Sequence, residues 1–117
     1  MLTLEDISRL RIGFMDIAVV ETAAMDDEYQ YGEFDSKTNT IKINPNVSDL
    51  DKINAFLHEI IHAILYERGL AAEGGMFDDK EKDEEFLVNT LSNGLTQVLR
   101  DNPKVLTVLN LLRNTQK

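Results

Sequence analysis

The two histidines of the chain, His58 and His62, lie four residues apart, with Glu59 directly after the first. On a helix, residues four apart lie one above the other on the same face. Both imidazoles can therefore reach one metal ion, and Glu59 lies beside the position that the two rings leave open. The spacing His-Glu-x-x-His predicts a helix with a zinc site, in which Glu59 acts as a general base towards a water molecule.

The residues around this motif have the period of an amphipathic helix. Ser48 or Asp49 is suited to the N-cap, and acidic residues in the first turn are favoured by the helix dipole. We expect the helix to run from residue 49 to about residue 68, where Gly69 ends it. Its predicted apolar stripe consists of Ile53, Phe56, Leu57, Ile60, Ile61 and Ile64.

The composition narrows the kinds of function open to the chain. Its 117 residues predict one domain, residues 1–117, with a hydrophobic fraction of 43% that is typical of globular proteins. A formal net charge of -9 argues against nucleic acid or a membrane as partner. Because the chain has no cysteine, any metal must be held by histidine and carboxylate. With no signal-peptide pattern and no long apolar run, we expect a cytoplasmic protein.

The N-terminal half is predicted to form a small sheet. Residues 9–21 are rich in isoleucine, valine and phenylalanine, and they predict one long strand or two short ones around Asp16. Residues 29–35 and 40–44 alternate apolar and polar side chains on either side of a turn, which indicates a hairpin. A bend is expected at Asp26-Asp27. The expected fold is α+β, with an antiparallel sheet of about three strands that precedes the helices.

Two further helices are predicted after the motif helix. The first runs from residue 79 to about residue 100 and follows an acidic, solvated segment. Its predicted apolar face consists of Phe86, Leu87, Leu91, Leu95, Val98 and Leu99. Pro103 is suited to the first turn of a C-terminal helix, which we expect to cover the core with Val105, Leu106, Val108, Leu109 and Leu112.

A catalytic zinc site normally has three protein ligands, so a carboxylate is needed beside the two histidines. Glu84 and Glu85 both lie near the start of the second helix, and the apolar period alone does not choose between them. Glu85 is preferred because Asn89, one turn later, offers a polar group that could hold the second ring nitrogen of a histidine ligand. Glu84 stays open as the ligand, as does Glu81 or an aspartate.

The segments His58-Glu59-Ile60-Ile61-His62 and Glu85-Phe86-Leu87-Val88-Asn89 together resemble the gluzincin pattern. In particular, they resemble the small ImmA/IrrE-type metallopeptidases and related proteins of phages and prophages, whose glutamate ligand is followed four residues later by asparagine. The resemblance covers about residues 29–99. It implies a minimal zincin-like fold and Zn²⁺ held by His58, His62 and Glu85. The chain departs from larger relatives in showing no helix-turn-helix or other sensor domain, which indicates a bare catalytic core.

The chemistry expected of such a site is peptide hydrolysis. Glu59 would accept a proton from the attacking water and pass it to the leaving nitrogen. An edge strand, residues 29–35 or 40–44, would hold a protein or peptide substrate extended by main-chain hydrogen bonds. Tyr66, Tyr29 or Tyr31 could stabilise the oxyanion.

Two classes of function stay open from the sequence. One is a zinc metallopeptidase, and the other is a catalytically idle, zincin-fold accessory or interaction protein of a phage. Hydrolysis of a non-peptide amide is a minor third option. Histidine with carboxylate also suits manganese or iron, so zinc is predicted only because it is the metal that usually occupies this motif.

Overall fold

The structure, a computed structural model, describes Leu4 and residues 7–24 and 30–115. The bend predicted at Asp26-Asp27 and the side chain of Tyr29 lie outside these residues. The described elements, in chain order, are β1 (Arg9–Ile12), β2 (Met15–Glu21), β3 (Gly32–Asp35), β4 (Thr40–Ile43), α1 (Asp49–Glu67), α2 (Glu81–Asp101), α3 (Pro103–Asn110) and a short 3-10 helix (Leu111–Asn114).

The sheet has four described strands in the order β1-β2-β4-β3. β1 and β2 are antiparallel, β2 and β4 are parallel, and β3 and β4 are antiparallel. The mixed α and β composition is as expected, but the prediction of an antiparallel sheet of about three strands is wrong. The segment 9–21 forms two strands because the chain reverses at Gly13, whose φ of 56° lies in the left-handed region that favours glycine.

The parallel pairing of β2 with β4 decides which strand lies at the edge. The chain leaves β2, enters the sheet again at its far side as β3, and returns as β4 between β3 and β2. Thr40 and Ile43 of β4 are in register with Ala18 and Glu21 of β2. Among the described strands, β3 is therefore an edge strand and β4 is internal.

Helix α1 covers one face of this sheet. Ile17, Ile41 and Ile43 point from the strands into the core and are fully buried. The helix meets them with small side chains, Ala55 and Ala63, which allow it to lie close to the sheet. Burial of these apolar groups is the main force that positions the motif helix.

A buried ion pair also ties α1 to the sheet. The Nζ atom of Lys52 lies 3.0 Å from Oε1 of Glu21 at the end of β2, and the lysine side chain is only 2% exposed. A charged group is tolerated at such depth because it is paired.

The ends of α1 are as predicted. Ser48 is the N-cap, and its Oγ accepts a hydrogen bond of 3.1 Å from the backbone N–H of Asp51. The helix ends before Gly69, whose φ of 83° is typical of a helix C-terminus. The predicted apolar stripe is only partly right, since Phe56 and Ile60 pack against the core whereas Ile53 and Ile64 are exposed.

Helix α2 packs mainly on α1, and α3 contacts α2. The face that α2 buries carries Val88, Ser92 and Thr96. The apolar face predicted for this helix is largely wrong: Leu87 and Leu99 are half-buried, but Phe86, Leu91, Leu95 and Val98 are between 41% and 75% exposed. The expected covering of the core by α3 is wrong too, since α3 buries none of its residues. Within the described residues, no helix is both long enough and apolar enough to cross a membrane.

Candidate metal centre

Helices α1 and α2 bring three potential ligands together. His58 and His62 lie one turn apart on α1, and Glu85 reaches them from the second turn of α2. Oε1 of Glu85 lies 2.7 Å from Nε2 of His58, and its Oε2 lies 3.1 Å from Nε2 of His62. The ligand atoms of the three residues lie within 4.8 Å of one another.

The separations suit a shared metal ion. The two Nε2 atoms lie 3.2 Å apart. In a tetrahedral site with zinc–nitrogen bonds of 2.0–2.1 Å, two ligand atoms are about 3.3 Å apart. Because the separation of the nitrogens is close to that value and Glu85 turns one oxygen to each, the donor set fits a divalent cation. Two histidines with one carboxylate is also a donor set found at catalytic zinc sites.

Glu84 holds the second nitrogen of one histidine. Its Oε2 lies 2.5 Å from Nδ1 of His62. Because a carboxylate accepts hydrogen bonds, this contact favours the tautomer of His62 with its proton on Nδ1, which is the tautomer whose Nε2 can bind a metal ion. The two glutamates that the sequence left open thus make different contacts: Glu85 belongs to the group that could hold a metal ion, and Glu84 contacts the other ring nitrogen of His62.

The second ring nitrogen was expected to be held by Asn89. Instead, the contact to His62 comes from Glu84, one position before the candidate ligand. Asn89 lies on the wall of the adjacent cleft. Glu81, the other open candidate, is exposed in the first turn of α2, and it is not among the residues that form the cluster.

The ring of His58 is kept in the neutral form that binds metals. Burial lowers its pKa from the ordinary value of 6.5, and the neighbouring His62 lowers it further, while the carboxylate of Glu85 opposes both effects. Neutral imidazole is the metal-binding form of histidine.

Glu59 is enclosed between α1 and the sheet. Burial raises its pKa from the ordinary value of 4.5 to about 8, and the carboxylates of Glu85 and Glu33 raise it in the same direction. In the metal-free protein at neutral pH, Glu59 therefore holds a proton. A cation beside it would favour the ionised form, since an opposite charge at short range stabilises the carboxylate.

A glycine in β3 makes room for this glutamate. A Cβ atom at Gly32 would lie 3.1 Å from both Cγ and Oε2 of Glu59 and 3.1 Å from Cδ1 of Ile43. Glycine within a strand often marks such a close approach. The sequence offered this signal in the alternating run 29–35, where Gly32 occupies a position at which a strand usually carries a side chain.

The three candidate ligands open onto a cleft of about 720 Å³ between β3, α1 and α2. Tyr66 and Tyr31 both line it, and the ring of Tyr66 makes an edge-to-face contact with Phe34 at 6.0 Å. Two further lining residues contact each other: Nδ2 of Asn54 donates a hydrogen bond of 2.8 Å to Oδ1 of Asn93. This bridge between α1 and α2 was not predicted, because it joins residues 39 positions apart in the chain.

Comparison with protein-family models, with curated proteins and with solved structures finds no match to this chain. The arrangement of His58, His62 and Glu85, which could hold a metal ion, is therefore the main observation that bears on function.

Proposed function

We propose that the chain is a metal-dependent peptidase of the zincin type, with His58, His62 and Glu85 as metal ligands and Glu59 as general base. The observation that carries the proposal is the 3.2 Å separation of the two histidine Nε2 atoms, with an oxygen of Glu85 near each. Zinc is the metal we propose, because it takes such a donor set in four-coordinate sites that keep one position open.

A bound divalent cation would act as a Lewis acid, polarising the substrate carbonyl and making a water molecule easier to deprotonate. The chain supplies the remaining groups. Glu59 would ionise beside the cation, and it would then accept the proton of the water whose oxygen attacks the amide carbon. The carbon–nitrogen bond then breaks, and Glu59 returns the proton to the leaving nitrogen.

The cleft and the edge strand support a peptide substrate. β3 is an edge strand among those described, and Gly32, Glu33 and Phe34 of β3 line the cleft. An extended peptide could pair with this strand and cross the metal position. β4, the other candidate from the sequence, is internal, because β2 and β3 occupy both of its edges.

Tyr66 is the oxyanion stabiliser that we propose among the described tyrosines. It lies one turn after His62 on the same helix, and its side chain lines the cleft. Tyr66→Phe should lower kcat with little effect on KM, because the hydroxyl would act only on charge that develops in the transition state. Tyr31→Phe is the matched test of the other lining tyrosine.

The experiment uses a complex peptide mixture, because it requires no knowledge of the substrate. Zinc-loaded parent and Glu59→Gln proteins are incubated with the peptides, and new termini are identified by mass spectrometry. We expect the parent to cut at a restricted set of sequences and Glu59→Gln to bind zinc but generate no new termini. Glu81→Gln, a change at an exposed glutamate of α2, is the control that should cut as the parent does.

Zinc binding without any cleavage by the parent would overturn the enzymatic proposal. That result would favour the other class, an accessory protein with an idle metal site. Equal cleavage by the parent and Glu59→Gln would instead contradict the role of Glu59.

A further inference from the structure

The edge strand β3 directs part of its backbone away from the sheet. The backbone N–H of Asn44 donates a hydrogen bond of 2.8 Å to the carbonyl oxygen of Tyr31. Hydrogen-bonded pairs recur at every second residue of an antiparallel ladder, so Glu33 also directs its backbone groups to β4. The backbone groups of Gly32 and Phe34, on either side of it, therefore point towards the edge that no described strand occupies.

The side chain of Glu33 lies on the face of the sheet away from α1. A Cβ atom at Gly32 would lie 3.1 Å from Glu59, and the ring of Phe34 contacts that of Tyr66, so both neighbours of Glu33 face α1. An extended peptide beside β3 would follow the same alternation. In an antiparallel pair, the Cβ atoms of directly opposite residues are about 4.5–5.5 Å apart. The peptide residue opposite Glu33 would therefore place its side chain within reach of this carboxylate.

The cleft is lined by acidic side chains. Five of them contribute to its wall: Glu33, Asp51, Glu59, Glu84 and Glu85. Among the described residues that line the cleft there is no lysine or arginine. A bound divalent cation would balance two of the negative charges, and Lys42, at 3.8 Å from Glu33, balances one more. The metal-loaded cleft thus keeps a net negative charge whether or not Glu59 is protonated.

The charge of Glu33 also reaches the proposed catalytic groups. Only 14% of its side chain is exposed, so salt screens its charge less than that of a surface acid. It is one of the two carboxylates that raise the pKa of Glu59. A cation that binds beside Glu33 would therefore lie close to the metal centre.

We propose that the substrate is a basic peptide segment, with a lysine or arginine in the position opposite Glu33. The backbone groups of Gly32 and Phe34 hold the peptide on either side of this position, and Glu33 selects the charge between them. An acidic residue in the same position is disfavoured, because like charges placed opposite each other destabilise the pairing. The inference rests on the proposed function, since it assigns a substrate class to the same cleft.

The test measures binding, so that its result does not depend on cleavage. The probes are three fluorescently labelled peptides with one central lysine, glutamine or glutamate in an otherwise uncharged, extended sequence. They are titrated with zinc-loaded Glu59→Gln protein at low ionic strength, and fluorescence anisotropy gives each Kd. We expect the lysine peptide to bind about fivefold more tightly than the glutamine peptide, and the glutamate peptide to bind more weakly than both.

Three further changes, each made in the Glu59→Gln protein, locate the selectivity. Glu33→Gln should bring the Kd values of the lysine and glutamine peptides to within about twofold of each other. Lys42→Met removes the competing cation and should increase the preference for lysine about twofold. Asp16→Asn removes one negative charge from β2, at a side chain that is 66% exposed and outside the cleft, and should leave the preference unchanged. Circular dichroism of each variant shows whether the fold is retained, and Lys42→Met serves if Glu33→Gln is unfolded.

Equal Kd values for the lysine and glutamine peptides would overturn the proposal, as would a lysine peptide that does not bind at about 1 mM protein. A preference for lysine that is unchanged in a folded Glu33→Gln variant would overturn it too. A preference that depends on Glu33, in a chain whose parent cuts no peptide, would support the basic segment and contradict the proposed catalysis. Cleavage by the parent without lysine or arginine enriched at one position near the cut bonds would do the reverse.

Discussion

Helices α1 and α2 both contribute to the candidate metal centre, but they are held in place in different ways. α1 lies on the sheet, where it buries Ala55, Ala63 and two ionisable side chains, Lys52 and Glu59. α2 packs mainly on α1, and its carboxylates at the site are more exposed, with Glu85 half exposed. Core packing therefore holds α1 in place, whereas the contacts of Glu84 and Glu85 with the two histidines help to hold the start of α2. Changes at buried groups of α1 should therefore alter stability, and changes at α2 should alter metal affinity.

The largest effect on stability is expected from Lys52→Met. The substitution keeps about the same side-chain volume but removes the 3.0 Å ion pair with Glu21, whose side chain is 19% exposed. Breaking a buried pair costs about 3–5 kcal/mol, and we expect about 3 kcal/mol here because Glu21 retains some contact with water. Urea unfolding measures this loss.

The matched control is Lys42→Met. Lys42 lies 3.8 Å from Glu33 and is 31% exposed, so its replacement should change the free energy of unfolding by less than about 1 kcal/mol. If both variants lost the same free energy of unfolding, the buried ion pair would contribute no more to stability than the more exposed one. That result would contradict the role of the buried pair in holding α1 on the sheet.

The second effect is a pH dependence that arises from Glu59. Its pKa is about 8 in the folded, metal-free protein and 4.5 ordinarily, so the folded state holds a proton that the unfolded state releases. Stability therefore falls as pH rises from 4.5 through 8, by about 1.4 kcal/mol per pH unit at most. His58 has the opposite slope, since its lowered pKa removes stability as pH falls below 6.5.

Above pH 6.5 the opposing effect of His58 becomes small, which makes this range suited to measuring the contribution of Glu59. Between pH 6.5 and 8, the metal-free parent should lose about 2 kcal/mol, and Glu59→Gln should show a much flatter profile. Chemical denaturation at several pH values, in the presence of a chelator, provides the comparison. Parallel profiles for the two proteins would contradict the burial of a protonated Glu59.

On α2, Glu84→Ala should weaken metal binding while leaving the fold intact. Glu84 orients His62 through Nδ1, and loss of such a partner typically lowers metal affinity by about 10- to 100-fold. Asp83→Ala, at the exposed preceding position, is the control and should bind zinc as the parent does. A competition titration with a chromophoric chelator gives both affinities. A Glu84→Ala variant that is less stable but binds zinc as tightly as the parent would contradict this account, in which changes on α2 alter metal affinity and changes at buried groups of α1 alter stability.

The smallest effect is expected from Gly32→Ala, which tests the contact between β3 and α1. The added methyl group would lie 3.1 Å from Glu59 and Ile43, so these neighbours must move by a few tenths of an ångström. We expect a loss of about 1 kcal/mol, or about 4 °C in melting temperature. An unchanged melting temperature would show that the site near Glu59 is looser than the structure indicates.

The sequence predicted the local features of this fold better than the pairing of its strands. Ser48 and Gly69 are local signals, and they marked the ends of α1 correctly. The strand order depends on contacts between distant segments, such as β2 with β4, for which alternation of apolar residues carries no information. The turn at Gly13 had a signal, a glycine between two apolar runs, but the sequence did not decide between one strand and two.

The face of α2 was mispredicted for a physical reason. Its apolar residues have a helical period, and burial in the core is the usual meaning of that pattern. Here the side towards α1 carries Glu85 and Asn89 beside the small residues Ser92 and Thr96, because that side forms the cleft. At the site, the four-residue spacing predicted that the two histidines are neighbours on α1, as they are, whereas the contact of Glu84 with His62 depends on how α2 is rotated against α1. No local pattern encodes that rotation.

The central claim is that His58, His62 and Glu85 form one metal site, and isothermal titration of the metal-free protein with zinc tests it most directly. We expect one zinc ion per chain and a loss of affinity above about 100-fold in Glu85→Ala, more than for the orienting Glu84. Glu81→Ala, one turn earlier on α2 and exposed, should bind zinc with the affinity of the parent. No zinc binding by the parent, or equal binding by Glu85→Ala, would contradict the account.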